Sequence, residues 1–199
     1  LGDHRRKDGW WLKEDVRLNG KGALEITVKK KGDRFTTGAI NTKGKFMQRF
    51  GYFVARCRFT HARGHGPAFW LQSPGVGHVG NDGRDGTEID IMEKFKDFDR
   101  IQHALHWDGY GAHHSTSSCQ VDLPGVSEGW HTFAVFWSPE EYVFYVDGQE
   151  SWRTKDGGVS QVGAYLILSD EVRAWNGDIS KQDLPSTFLV DYVRVFAIE

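Results

Sequence analysis

Apolar and polar residues alternate with a period of two along most of this 199-residue chain, and helical periodicity is almost absent. Residues 23–30, 51–60, 87–93, 130–138, 141–147, 163–169 and 187–197 each read as a strand rich in β-branched and aromatic side chains. Gly, Asn and Asp punctuate them, with 24 Gly against only 5 Pro. Asp147-Gly148, set between an aromatic run and Ser151-Trp152, marks a hairpin, because a two-residue primed turn needs positive φ. So many short strands predict an all-β antiparallel sandwich or barrel. The least regular stretches, 73–86 and 108–118, read as loops of Gly, Asp and His, where a rigid scaffold usually carries its site.

One domain over residues 1–199 fits the length, since no linker or repeat divides the chain. With 25 Lys+Arg against 27 Asp+Glu the net charge is −2, so no excess of cations is available to displace phosphate counterions, and nucleic acid is not the expected partner. The Lys29–Lys31 cluster reads as a solvated strand edge. Apolar residues make up 39% of the chain. No run nears the ~18 apolar residues of a membrane span, so a soluble monomer without membrane contact is expected. Eight Trp exceed what a small core needs, and flat sugar faces stack on indole rings, which raises carbohydrate as a ligand.

Cys57 and Cys119 show no C-x-x-C spacing, so neither a zinc site nor a disulfide scaffold is indicated, and whether they pair stays open. Cys57 shares its parity with Phe53, Ala55 and Phe59 and reads as a buried thiol. The chain starts at Leu1 without an initiator Met or a leader, which reads as a processed or trimmed form.

The segment Glu88-Ile89-Asp90-Ile91-Met92-Glu93 carries the chemistry. In a strand, Glu88 and Asp90 share one face and Ile89 and Ile91 the other. Strict alternation would put Glu93 on the apolar side, where an unpaired carboxylate costs several kcal/mol. One extra residue at Ile91-Met92, a β-bulge, returns Glu93 to the acidic face and Met92 to the core. Three like charges in a row are destabilising, and their repulsion must raise at least one pKa. At ~3.3 Å per residue, Glu88 and Glu93 lie about 13 Å apart at Cα, and inward-leaning side chains bring the carboxyls to roughly 5–6 Å. That is near the ~5–5.5 Å of a retaining glycosidase and short of the ~6.5–9.5 Å of an inverting one. Calcium loops, by contrast, alternate acids with Gly and Asn rather than Ile.

The segment resembles the E-x-D-x-x-E signature of family 16 of the glycoside hydrolases, in the bulged form of laminarinases, agarases, porphyranases and carrageenases. Thr37 to Phe46, Tyr52 to Arg56, Pro67 to Leu71, His103 to Trp107, Tyr145 to Gly148 and Val190 to Val195 resemble that family in the expected order. The resemblance implies a β-jelly-roll sandwich, lectin-like, of two curved antiparallel sheets with a substrate cleft across the concave face. Family members usually begin with an acidic, aromatic strand before the stretch matching Asp8 to Trp11, and this chain lacks it.

Carried over residue by residue, the resemblance makes Glu88 the nucleophile, Asp90 the assisting carboxylate and Glu93 the general acid/base. His106 resembles the histidine packed near the carboxylates, while His103, three residues earlier, faces the other way. Trp70 resembles the sugar platform, with Trp107, Trp175, Asn41 and Arg56 as further substrate-binding candidates. Trp130 and Trp137 differ by seven residues, so at least one lies outside the cleft. His113-His114 reads as a wet loop. No catalytic cofactor is implied; a structural calcium held partly through Asp191 is. The implied activity is retaining, endo-acting hydrolysis of a β-linked polysaccharide outside the cell, with secretion expected. A β-1,3-glucan is the first substrate choice. A galactan such as agar, porphyran or carrageenan is the alternative, with Arg63, Arg84 or Arg100 available to meet sulfate. A non-catalytic lectin-like module is the reading from another class.

Overall fold

Strand alternation sorts the chain into two sheets stacked face to face, with a shared apolar layer between them. The structure, a computed structural model, describes residues 3–60, 63–94 and 99–198. The smaller sheet runs in the order Ser115–Asp122, Arg100–Trp107, Glu88–Lys94, His65–Gln72, Tyr165–Val172 and Ala39–Asn41. The larger runs from His4–Arg6 through Gly9–Trp11, Arg34–Thr37, Leu24–Lys31, Ser186–Phe196, Gly51–Arg58, His131–Trp137 and Tyr142–Val146 to Gln149–Thr154, with Val16–Leu18 beside Leu24–Lys31. All pairings are antiparallel except that of Gly9–Trp11 with Arg34–Thr37. The fold is an all-β jelly roll of two sheets, as the resemblance implies; of the sandwich and the barrel that the alternation allowed, it is the sandwich. Among the described residues no helix is long and apolar enough to cross a membrane.

Parity decides what enters the core. Phe53, Ala55 and Cys57 from Gly51–Arg58, and Phe133, Val135 and Trp137 from His131–Trp137, meet Phe69, Leu71, Ile89, Ile91, Met92, Ile101 and Leu105 from the smaller sheet. Each of the Val, Leu, Ile, Phe and Met side chains among them contributes about 1.5–3 kcal/mol on burial. Cys57 lies in this layer as a free thiol, pushed up by burial, and Cys119 is free as well. A buried polar chain also ties the sheets together. His65 Nδ1 lies 2.8 Å from Asp170 Oδ2, and its Nε2 lies 2.9 Å from Ser186 Oγ, linking Tyr165–Val172 to Ser186–Phe196.

Asp147 and Gly148 make the expected hairpin turn, at φ 49° and 78°. The stretch expected as loop over 108–118 is shorter, because Ser115–Asp122 is an edge strand of alternating half-buried and exposed residues. Its small hydroxyl side chains carry little hydrophobic signal. At the chain start, His4–Arg6 and Gly9–Trp11 form a hairpin that reaches the smaller sheet: Trp11 Nε1 donates to the Asp170 carbonyl at 2.7 Å and the Ala174 amide to Asp8 Oδ2 at 2.8 Å.

Candidate active site

The outer face of the smaller sheet forms the floor of a cleft of about 750 Å³. Its central strand, Glu88–Lys94, is bulged where the sequence requires it. Glu93 stands opposite Ala68, Met92 opposite Phe69 and Asp90 opposite Trp70, which leaves Ile91 as the extra residue. Ile89, Ile91 and Met92 are fully buried in the core, and Glu88, Asp90 and Glu93 all line the cleft. On the other flank a single residue, His103, spans the bulge between Gln102, opposite Glu93, and Ala104, opposite Asp90.

Each carboxylate has a different shell. Glu88 Oε2 accepts hydrogen bonds from Tyr110 Oη and, at 3.1 Å, from Gln72 Nε2; Gln72 in turn accepts one from the Tyr165 hydroxyl. Asp90 is buried beside His106, whose Nε2 lies 3.2 Å from its Oδ2. The His106 ring stacks on His114, with Nδ1 to Nε2 at 2.9 Å. Glu93 Oε1 accepts from Arg173 Nη1 at 2.9 Å.

Electrostatics follow from burial and crowding. Burial, then the Asp90 charge, pushes Glu88 up to about 8, against the opposing pull of the Tyr110 hydrogen bond and of His106. Asp90 is held well above the usual carboxylate range by burial and by the Glu93 charge. Two of the three carboxyls are thus raised, the outcome that three crowded like charges demand. Burial alone would lower Arg173; the charges of Glu93 and Glu171 outweigh it and raise the guanidinium.

Comparison with known proteins shows the family of the chain. Residues 4–194 match the model for glycosyl hydrolases family 16. The chain belongs to that family. It is 30% identical over 172 residues to a keratan-sulfate endo-1,4-beta-galactosidase of Sphingobacterium multivorum, an alignment covering 82% of this chain and 40% of that protein. A beta-glucanase of Rhodothermus marinus is 27% identical over 202 residues, covering 92% of this chain and 70% of the relative. The laminarinase catalytic domain of Thermotoga maritima superposes with a TM-score of 0.80 at 28% identity, over 97% of this chain and 84% of that one. The chain therefore spans well under half of the Sphingobacterium protein's length.

Set against the family carry-over, Trp70, His106, Trp175 and Asn41 line the cleft. Trp70 is a nearly closed floor residue whose Nε1 donates to Ser169 Oγ at 3.0 Å, and Trp175 is 53% exposed, with the Arg173 guanidinium 5.0 Å from its ring centre. Trp107 is a correction. It follows His106 directly, so alternation turns it inward, against the core and against Gly157, where a Cβ would sit 2.6 Å from its ring. Arg56 is a second correction, and it lies in the larger sheet. Its Nη1 donates to Asp191 Oδ2 at 2.7 Å and its guanidinium covers Trp130 at 4.9 Å, on the molecule's other side. Asp191 does not fit the implied calcium, because that guanidinium already supplies its cation. Among the described residues the one group of three or more such donors able to hold a metal is Glu88, Asp90 and His106.

Arg63, Arg84 and Arg100 line no part of the cleft; its cations are Arg6, Lys7, Lys43 and Arg173. Trp137 is core and Trp130 lies outside the cleft, so neither faces sugar. His114, read as a wet loop residue, is exposed yet lines the cleft against His106. The sequence reading missed Gln72, Tyr110, Tyr165, Glu171 and Arg173. Gln72 and Glu171 were within reach of strand parity, since Gln72 stands directly opposite Glu88. Tyr110 was not, because a turn with positive φ at Asp108 and Gly109 delivers it.

Proposed function

We propose that this chain is one catalytic domain of a retaining, endo-acting hydrolase of a β-linked polysaccharide, with β-1,3-glucan as its substrate. The observation that carries the reading is the bulge, which brings Glu88, Asp90 and Glu93 to one cleft wall in three distinct environments. Such environments separate the roles of chemically similar acids. Glu93 protonates the glycosidic oxygen as its bond to the anomeric carbon breaks, and Glu88 forms the new bond to that carbon. Glu93 then takes a proton from water, whose oxygen displaces Glu88.

The raised pair sets where the proton waits. With the proton on Asp90, the charge that raises Glu88 is gone, and the Tyr110 and Gln72 hydrogen bonds favour the ionised nucleophile. Trp70 forms the floor and Trp175 an exposed ring beside it, which suits sugar stacking. Asn41 supplies a side-chain amide at the rim, its Oδ1 already taking the Lys43 amide. A polymer substrate places the protein outside the cell, as a secreted monomer.

A galactan substrate is the second reading. The exposed cations Lys7 and Lys43 on the cleft wall favour it, as they suit an anionic substituent, and one relative is named for keratan sulfate. Reducing-end release by wild type and Glu88→Ser on laminarin, mixed-linkage glucan, agarose, porphyran, carrageenan and keratan sulfate decides between them. Release from laminarin, lost in the variant, supports the glucan reading; release only from a galactan replaces it. Binding without release points to the lectin-like module. Proton NMR of the first product should show the β-anomer, and the α-anomer would overturn retention.

A further inference from the structure

We infer that Arg173 is a positioning residue that holds Glu93 by one oxygen, leaves the other for proton transfer, and takes up the charge Glu93 acquires on giving its proton away. The consequence for turnover rests on the hydrolase reading; the ion pair does not.

Four side chains of alternating charge run from the chain start to the cleft centre. Arg6 Nε meets Glu171 Oε1 at 2.5 Å, Arg173 Nε meets Glu171 Oε2 at 2.9 Å, and Arg173 Nη1 meets Glu93 Oε1 at 2.9 Å. The Glu171 carboxylate is thus clamped between two guanidiniums, and the Arg173 fork is filled from two sides. The Arg173 side chain is only 9% exposed, with its Cζ 5.0 Å from the Trp175 ring centre. A planar fork pinned in this way loses little further freedom, so Glu93 Oε1 is fixed in place. Glu93 Oε2 takes no hydrogen bond from a described residue, and Glu93 lines the cleft.

The groups facing Glu93 can be enumerated element by element. Its own strand offers Asp90 and, further off, Glu88; Tyr165–Val172 and the residue after it offer Glu171 and Arg173. Arg100–Trp107 places neutral Gln102 opposite it, with His106, in register with Glu88, held against Asp90. His65–Gln72 places uncharged Ala68 opposite it. Arg173 is therefore the one cation in direct contact with Glu93 among the described residues. At 2.9 Å its guanidinium stabilises the negative charge left on Glu93 in the bond-breaking step and opposes the return of a proton there in the water step. Glu171 opposes this by drawing part of the Arg173 charge to itself.

Titrating the Glu93 carboxyl carbon by NMR, assigned with Glu93→Gln, tests the proposal without any substrate. The Glu93 midpoint should rise by about 1–3 pH units in Arg173→Gln. It should stay near the wild-type value in Arg173→Lys and fall in Glu171→Gln. The alkaline limb of kcat/KM on laminarin should move in the same directions. Arg173→Lys should retain that limb while losing kcat, because one ammonium cannot grip two carboxylates as a fork. Equal midpoints in wild type, Arg173→Gln and Glu171→Gln would overturn the proposal, as would a fall in kcat with an unmoved limb. Shifted midpoints with no turnover on any glycan would uphold the ion-pair role and sink the hydrolase reading instead. Should Arg173→Gln not fold, Glu171→Gln and Arg173→Lys still decide the sign.

Discussion

The His103 ring donates a hydrogen bond from Nδ1 to the Ile91 carbonyl at 2.6 Å, reaching the bulge from the face of the sheet opposite the carboxylates. A carbonyl only accepts, so Nδ1 carries the proton and Nε2 accepts from the Ser151 hydroxyl at 2.9 Å. The ring is fully buried 4.8 Å from Phe144. A bulge disrupts the ladder and leaves backbone groups without strand partners; here a core imidazole serves one of them. His103 touches none of the cleft carboxylates, yet it holds the extra residue that puts them on one wall.

Burial of that ring, which outweighs the opposing pull of the Ile91 hydrogen bond, makes stability depend on pH. Burial lowers His103 to about 4, so it is neutral when folded, while the unfolded ring titrates near its ordinary 6.5. Between these values the unfolded chain binds more protons, so stability falls as pH drops from 6.5 towards 4, by up to about 3 kcal/mol. Denaturant unfolding at several pH values should show this fall in the wild type. His103→Leu should cost about 1–3 kcal/mol at pH 7, by orphaning the Ile91 carbonyl and Ser151, and should flatten the dependence. An unchanged slope in the variant would refute the assignment.

Tyr110→Phe removes the hydroxyl that favours ionised Glu88. A hydrogen bond to a charged group is worth about 1.5–3 kcal/mol, so kcat/KM at neutral pH should drop about 10–100-fold. The acidic limb of the profile should also move to higher pH, because Glu88, already raised, rises further. A drop without movement of that limb would mean that Tyr110 serves substrate rather than Glu88.

Trp107 and Arg56 should behave as structural residues. Trp107→Ala should cost about 3 kcal/mol of stability, measured by urea unfolding, with KM close to wild type once folded. Arg56→Ala breaks a half-exposed surface pair worth at most about 1 kcal/mol and should leave KM unchanged. A rise in KM for either variant would return that residue to the substrate path.

Fold class, the bulge and the three cleft carboxylates were legible in the amino-acid order. Strand parity is a local rule, and Glu93 at the wrong parity behind Ile91 admitted only one remedy, an inserted residue. The same rule, applied to Trp107, places it behind His106 and away from sugar; the family resemblance had pulled it to the wrong face. Arg56 went astray for a different reason. Its outward parity was readable, but which sheet it belonged to was not. The pairings of Tyr110 with Glu88, Arg173 with Glu93 and Arg6 with Glu171 were beyond sequence reading because these partners lie 22 to 165 positions apart along the chain. Alternation says which side of a strand a residue takes. Only the stacking of distant strands, and the turn that swings Tyr110 over Glu88, decides which charges meet there and so how differently Glu88, Asp90 and Glu93 are surrounded.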